Sequence, residues 1–364
     1  MKVKEVITTL EELAPLAYAE DFDNVGLLVG DANTKVSGVL VTLDTLGNVV
    51  DEAITNNCNL IVSFHPIIFG GLKRLTGATY VERVVIKAIK NDIAIYSMHT
   101  ALDNNKYGVN AKICEILGLK NTKILIPQKG TIKKLVTYVP RAEAALLKDR
   151  LFEAGAGSIG NYSDCSFTNK GIGSYKANEQ ARPVKGVVSE VHHEKETQLH
   201  ITYPKAVERQ VIAALFEHHP YEEVAYEIST LENRNQDIGM GMIGELEKPM
   251  DELESLEYIK KKMKASCIRH SKLRNSPVKK IAVLGGSGAF AIAAAKASGA
   301  DIFITADIKY HQFYEAEGKL IIADIGHYET EQFTKNLLVD YLTKKIPNFA
   351  IRLSESKTNP IKYL

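Results

Sequence analysis

The sequence predicts an α/β protein: a doubly wound core built from both ends of the chain, with an α+β, ferredoxin-like domain inserted between them. Three observations predict it. Strand and helix patterns alternate over about the first 125 residues and again from Gly239 onward, the signature of parallel strands with helical crossovers. The stretch Ile126-Pro127-Gln128-Lys129-Gly130 carries Pro and Gly punctuation, and the pattern changes after it. Between these blocks a strand–turn–helix is written twice. The expected divisions are 1–127, 128–238 and 239–364.

In chain order, the first block places a helix at Val3–Leu13, a strand at Gly38–Leu43 and a helix at Asn48–Asn56. Two strands with buried-type composition, Leu60–Ser63 and Ile93–Ser97, flank a helix at Tyr80–Asn91. In the insert, Leu135–Pro140 and the helical pattern over 141–156 are echoed by Leu199–Pro204 and the pattern over 205–219. Strand-like pieces at Tyr162–Asn169 and Val224–Thr230 complete β-α-β then β-α-β. The last block alternates strands at Ile281–Leu284, Asp301–Thr305 and Leu320–Ala323 with helices.

Composition narrows the function classes. Lys and Arg total 45 against 44 Asp and Glu, a net charge of +1 that gives no global basic excess for gripping nucleic acid. The local runs Lys260–Lys264, Lys279–Lys280 and Lys344–Lys345 read as solvated faces. With 45% hydrophobic and 24% charged residues the chain is globular rather than disordered or fibrous. The N-terminus lacks a signal-peptide core and no apolar run approaches the roughly 18 residues needed to cross a bilayer, so a soluble cytoplasmic protein is expected. Cys58, Cys114, Cys165 and Cys267 form no C-x-x-C pair, so any transition metal must be held by His and carboxylate.

Such ligands stand at the expected strand ends. His65 follows Leu60–Ser63, His99 follows Ile93–Ser97 and His327 follows Leu320–Ala323, where open α/β sheets place ligands. His327 and Glu331 are four residues apart, as are His99 and Asp103, and Asp307 and His311, so each pair would share a face of a helix. Any one of these histidines reads equally well as a satisfied polar residue. As a set they have the chemistry of an open N/O metal centre, with Glu331 or Asp103 able to bridge two ions.

Gly286-Ser287-Gly288-Ala289-Phe290-Ala291 matches G-x-G-x-x-A after a strand, with Asp307 about 20 residues on. That permits a dinucleotide-binding oxidoreductase, whereas a tight Gly turn close to a phosphate or metal is the simpler reading. His192-His193 reads as a solvated turn, and His218-His219 as a helix end where the dipole favours imidazolium.

Six segments in order then resemble one family: 23–27 (Asp23 to Leu27), 63–69 (Ser63 to Phe69), 99–103 (His99 to Asp103), 285–288 (Gly285 to Gly288), 307–311 (Asp307 to His311) and 326–331 (Gly326 to Glu331). They look like the motif series of the Nif-three-like dinuclear-metal family, also called GTP cyclohydrolase 1 type 2. The insert, with 219–223 (His219 to Glu223), is similar to the PII/CutA-like insertion of its longer bacterial members.

The resemblance implies a toroidal homohexamer with two divalent ions per subunit, zinc foremost, with manganese, iron, cobalt and nickel also compatible. Carried over position by position, the ligands are His65, Asp103, His327 and Glu331, with His99, Asp307 and His311 nearby for support or proton transfer. Many bacterial members have two adjacent histidines where this chain has Phe64-His65, so one imidazole is absent and two ions of unequal affinity are expected. The name implies hydrolytic opening of the guanine ring of GTP by metal-activated water. No guanine-reading motif and no P-loop Lys accompany it. The expectation is therefore a metal-dependent hydrolase acting on a nucleotide; a non-enzymatic metal-binding regulatory hexamer, whose insert binds a ligand or partner, stands beside it.

Overall fold

The computed structural model describes residues 1–160 and 162–364. They form two compact units, Met1–Pro127 with Gln236–Leu364, and Gln128–Asn235. The first segment runs α1 (Val3–Leu13), β1 (Gly26–Val29), β2 (Val39–Thr42), α2 (Gly47–Thr55), β3 (Leu60–Ser63), α3 (Tyr80–Lys90), β4 (Ala94–Ser97), α4 (His99–Asp103), α5 (Val109–Ile116) and β5 (Lys120–Gln128). The second unit contains β6 (Ile132–Pro140), α6 (Ala144–Glu153), β7 (Ser166–Lys176), β8 (Val191–Pro204), α7 (Glu208–His218) and β9 (Tyr226–Leu231). The chain returns through β10 (Asn235–Met250), α8 (Glu252–Lys262), β11 (Arg269–His270), β12 (Val278–Ser287), α9 (Ile292–Ala297), β13 (Ile302–Ala306), β14 (Ile321–Asp324), α10 (His327–Glu331), α11 (Thr334–Lys345) and β15 (Ile351–Leu353).

The larger unit holds two sheets where the alternation pattern suggested one. The first has the order β1-β4-β3-β2-β15 and the second β11-β14-β13-β12-β10-β5. Strands β4, β3, β2 and β15 are parallel, as are β12, β13 and β14, while β1, β10 and β11 pair antiparallel. Periodicity marks a strand but not its partner, which is why one sheet could not be told from two. The ends of the chain are interlaced, since β15 joins the first sheet and β5 the second.

Period-two alternation explains why both sheets are covered on both faces. Val39, Val41, Leu60, Val62 and Tyr96 of the first sheet share a core with Ile281, Val283, Ile302, Ile304 and Ile321 of the second. Helices α1, α5, α8 and α11 add Val6, Leu10, Ile113, Ile259, Leu338 and Leu342 to that core. The intervening residues face outward. Leu40, Ile61 and Ile95 pack with α2 and α3, and Ala282, Leu284, Phe303 and Ile322 pack with α9. At about 1.5–3 kcal/mol for each fully buried aliphatic or Phe side chain, this central core fixes the relative placement of the strand ends.

In the smaller unit the sheet order is β7-β8-β6-β9 with every pair antiparallel, and α6 and α7 supply Leu147, Leu151, Val211 and Leu215 to a core on one face. Strand β8 begins at Val191, so His192 and His193 lie in a strand paired with Tyr175 and Ser174, not in a turn. His218 closes α7 as expected, but His219 is only 7% exposed. Burial lowers its pKa, so the imidazolium expected from the helix dipole is disfavoured there. No helix among the described residues is long and apolar enough to cross a membrane.

Candidate metal centre

Residues at the C-terminal ends of strands from both sheets converge on one place. His65 stands two residues beyond β3, His99 and Asp103 open and close α4 just after β4, and His327 and Glu331 open and close α10 after β14. His65 Nε2 lies 3.0 Å from Glu331 Oε2, and His327 Nε2 lies 3.2 Å from the same oxygen. The donor atoms of His65, His327 and Glu331 all fall within 4.8 Å of one another.

Each imidazole is fixed from behind by a carboxylate. His65 Nδ1 pairs with Asp44 Oδ1 at 2.8 Å, His327 Nδ1 with Asp307 Oδ2 at 2.7 Å, and His99 Nδ1 with Asp23 Oδ1 at 2.8 Å. Such a partner sets the tautomer with the proton on Nδ1 and turns the Nε2 lone pair outward, as in carboxylate–histidine–metal triads. Glu331 Oε2 is buried with two imidazole nitrogens facing it, and Asp103 Oδ1 is buried without a hydrogen-bond partner. Imidazole nitrogens and a carboxylate oxygen aimed at common space, with the buried Asp103 oxygen left without a donor, are what a bound divalent cation would satisfy. The N/O donor set fits the metals expected from the sequence.

Electrostatics of the metal-free cluster tell the same story with protons. Burial opposes charge on His65, but hydrogen bonds and charge from Asp44 and Glu331 prevail and raise its pKa to about 10. For His327, burial is likewise overcome by Glu331 and Asp307, giving about 9. Against its own burial, Glu331 is held at about 2 by His327 and His65. Asp103 is pushed well above the ordinary carboxylate range by burial and then by Glu331. The charge of one carboxylate raises the pKa of the other in a shared buried site, while the two imidazoles hold Glu331 low.

Two residues here have left-handed backbone, His99 at φ 26° and Asp307 at φ 57°. The Asp23 carboxylate anchors the first, accepting from Thr100 N at 3.1 Å and Thr100 Oγ1 at 2.5 Å as well as from His99. Strain held in this way is concentrated at functional sites. Gly286 is the third special position, at φ 67°. A Cβ there would lie 2.5 Å from Glu331 Oε1 and 3.4 Å from His327 Nε2, so the Gly-rich turn makes room for the cluster itself.

His99, Asp103, His327 and Glu331 also line a cavity of about 280 Å³ walled by Phe22, Met240, Leu284 and Phe290. Asp307 supports His327 and accepts from Ser287 Oγ. His311 is exposed, its ring against Tyr310 and Tyr314, and is not among the donors brought together. Phe64 is fully buried with its ring 4.9 Å from that of His65 and 5.6 Å from that of His99. Sequence reasoning did not name Asp44, and gave no role to Thr100 or to Thr330, whose hydroxyl accepts from Gly286 N at 2.9 Å. Asp44 stands two residues beyond β2, as His65 does beyond β3, so the strand-end rule applied to carboxylates as well as histidines would have found it.

A family model described as Duf34/NIF3 (NGG1p interacting factor 3) matches residues 1–360. A GTP cyclohydrolase 1 type 2 homolog of Bacillus subtilis (strain 168) is 38% identical over 371 residues, covering 99% of this chain and 98% of that protein. The crystal structure of a Bacillus cereus protein related to NIF3 superposes with a TM-score of 0.85 at 36% identity, covering 100% of this chain and 99% of the other. A Staphylococcus aureus protein of known structure gives a TM-score of 0.78 at 30% identity, with 100% and 99% covered.

Proposed function

Since the chain belongs to the Duf34/NIF3 family, we propose that it is a dinuclear divalent-metal protein acting as a metal-dependent hydrolase on a nucleotide, in the manner implied by the name GTP cyclohydrolase 1 type 2. The observation that carries this reading is Glu331 Oε2, a buried carboxylate oxygen faced by both His65 Nε2 at 3.0 Å and His327 Nε2 at 3.2 Å. His65, Asp103, His327 and Glu331 would hold two ions, zinc first among the compatible metals. Bound there, divalent ions supply Lewis acidity that polarises a water or a substrate oxygen.

The chain's own residues have separable tasks in this reading. Asp44 and Asp307 hold the imidazoles in the ligating tautomer. Asp103, whose pKa burial and then Glu331 push well above the ordinary carboxylate range, would offer a carboxylate oxygen to a cation bound there. His99, oriented by Asp23, faces the cavity and is placed to hold or move a proton, with Asp307 and the exposed His311 as further candidates. Phe22, Met240 and Phe290 provide apolar walls suited to a planar ring. Phe64 contributes no lone pair, so the two ions bind with unequal affinity.

The reading includes assembly as a toroidal homohexamer, with the smaller unit a ferredoxin-like module of the PII/CutA kind. Elemental mass spectrometry on untagged protein tests its base: close to two ions per chain, falling sharply in Glu331→Ala at matched folding. Little metal in either, even after reconstitution, would sink it. Metal-dependent turnover of a nucleotide panel, lost in the same variant, separates the hydrolase from a regulatory hexamer without turnover. That second reading is favoured by one observation, the cavity in the smaller unit.

A further inference from the structure

The smaller unit carries a cavity of about 440 Å³ on the face of its sheet away from α6 and α7. Such a volume falls within the range of small-molecule sites. Tyr138 of β6, Tyr175 of β7 and Tyr221 beyond α7 line it, the last two rings meeting edge to face at 6.0 Å. Ala177, Ala181, Pro183, Val184 and Ala225 make the remaining wall largely apolar.

Glu196 of β8 is the polar centre. Its Oε1 accepts from Tyr221 Oη at 2.8 Å, and no cation pairs with it among the described residues. The neighbouring Glu194 differs, because Lys185 Nζ and His192 Nε2 each approach it at 3.2 Å. Room for the Glu196 carboxylate comes from Gly173: a Cβ at that position would stand 2.5 Å from Glu196 Cδ and collide with Oε2. Glu222 and Glu223 also line the cavity, against one lysine, Lys176. Burial raises the pKa of Tyr175 and of Tyr221, and the charge of Glu194 and Glu196 adds to the rise in both, marking a negative local potential.

We propose that this cavity binds a small organic cation, an amine or guanidine whose charged head meets Glu196 and whose carbon body lies against Tyr138, Tyr175 and Tyr221. A carboxylate beside aromatic faces is the chemistry that recognises ammonium and guanidinium groups. A metal ion does not account for it, since the one group of three metal-ligating side chains among the described residues is His65, His327 and Glu331. Anions are disfavoured by the three carboxylates in the lining.

Titration calorimetry of the full-length protein with choline, putrescine and agmatine, and with ATP as the anionic counterpart, tests this. At least one cation should saturate one site per chain, weaken with added salt, and lose tenfold or more in affinity in Glu196→Gln and in Tyr175→Ala. Gly173→Ala should weaken it similarly while keeping every charge. Unchanged hydrogen-exchange protection of β6, β8 and α7 in these variants shows that the smaller unit is folded, so loss of binding reports on the cavity alone. Saturation by none of the three cations, retained affinity in Glu196→Gln and Tyr175→Ala, or displacement of the cation by ATP would overturn the proposal.

Discussion

Histidines with both ring nitrogens engaged stand in both units of this protein, yet they are wired in opposite senses. In the larger unit, His65 and His327 receive carboxylates on both ring nitrogens, Asp44 and Asp307 on Nδ1 and Glu331 on Nε2. In the smaller unit, His219 Nε2 donates to the Tyr138 carbonyl at 3.0 Å, and His219 Nδ1 accepts from Tyr221 N at 3.2 Å. The first arrangement wants positive charge, whether a proton or a metal. The second needs a neutral ring, because a charged one could not accept from the Tyr221 amide. Residue type alone does not tell a ligand from a clamp; what occupies the second nitrogen does.

Removing the shared carboxylate breaks this comparison most severely. Glu331→Ala should abolish most metal binding while leaving cation binding by the smaller unit unchanged, as read by elemental analysis and calorimetry on one preparation. For the metal-free chain, breaking a buried pair costs at most roughly 3–5 kcal/mol, less here because both imidazoles can shed their protons. Gly286→Ala should come next. The added methyl meets Glu331 Oε1 at 2.5 Å on backbone at φ 67°, so metal affinity should fall tenfold or more in a folded chain. Metal content unchanged in Gly286→Ala would instead leave the glycine with a purely conformational role.

Proton linkage sharpens the contrast. In metal-stripped protein, the pKa values of His65 and His327, about 10 and about 9, lie above the ordinary 6.5. Their contribution to stability is therefore complete below pH 6.5 and is lost as pH rises through 9 and then 10. Glu331, at about 2, contributes above pH 4.5 and loses that contribution as pH falls toward 2. A bound divalent ion competes with the imidazole protons, so loading should protect the site at high pH and release it on acidification. Hydrogen exchange over residues 60–66 and 325–332, with and without chelator, should show the trend change sign. The same trend in both states would mean that no ion replaces those protons.

How much of this was legible in the sequence follows from what sequence patterns encode. The strands β3, β4, β12, β13 and β14 are short apolar runs, and their ends locate His65, His99, Asp307 and His327. The helical spacing brings His327 Nε2 to Glu331 Oε2, but fails for Asp307 and His311, because the chain there turns into a short 3₁₀ segment at Tyr310–Ala316. The pairing of strands into two sheets was not legible, since β10 is interrupted by Gly239, Gly241 and Gly244 and carries little strand character of its own. Nor was the cavity beside Glu196, because the pairing of Gly171 with Glu196 across β7 and β8 joins residues 25 apart through no periodic signal.

The smallest expected effect lies at His219, and it tests whether a clamp and a ligand site can be told apart by pH alone. Burial lowers its pKa below 6.5, so its contribution is complete above pH 6.5 and is lost as pH falls through the depressed value, the reverse of His65 and His327. His219→Ala leaves the Tyr138 carbonyl and the Tyr221 amide without their partner, a cost of about 1–3 kcal/mol confined to the smaller unit. His219→Asn keeps one donor and one acceptor and should recover part of it. Both tyrosines line the cavity, so His219→Ala should also weaken choline or agmatine binding several-fold without altering metal content. Faster hydrogen exchange over residues 219–223 on acidification, present in the native chain and absent from His219→Ala, is the expected signature. If acidification slows exchange there instead, the ring is protonated in the folded state and the neutral clamp is wrong.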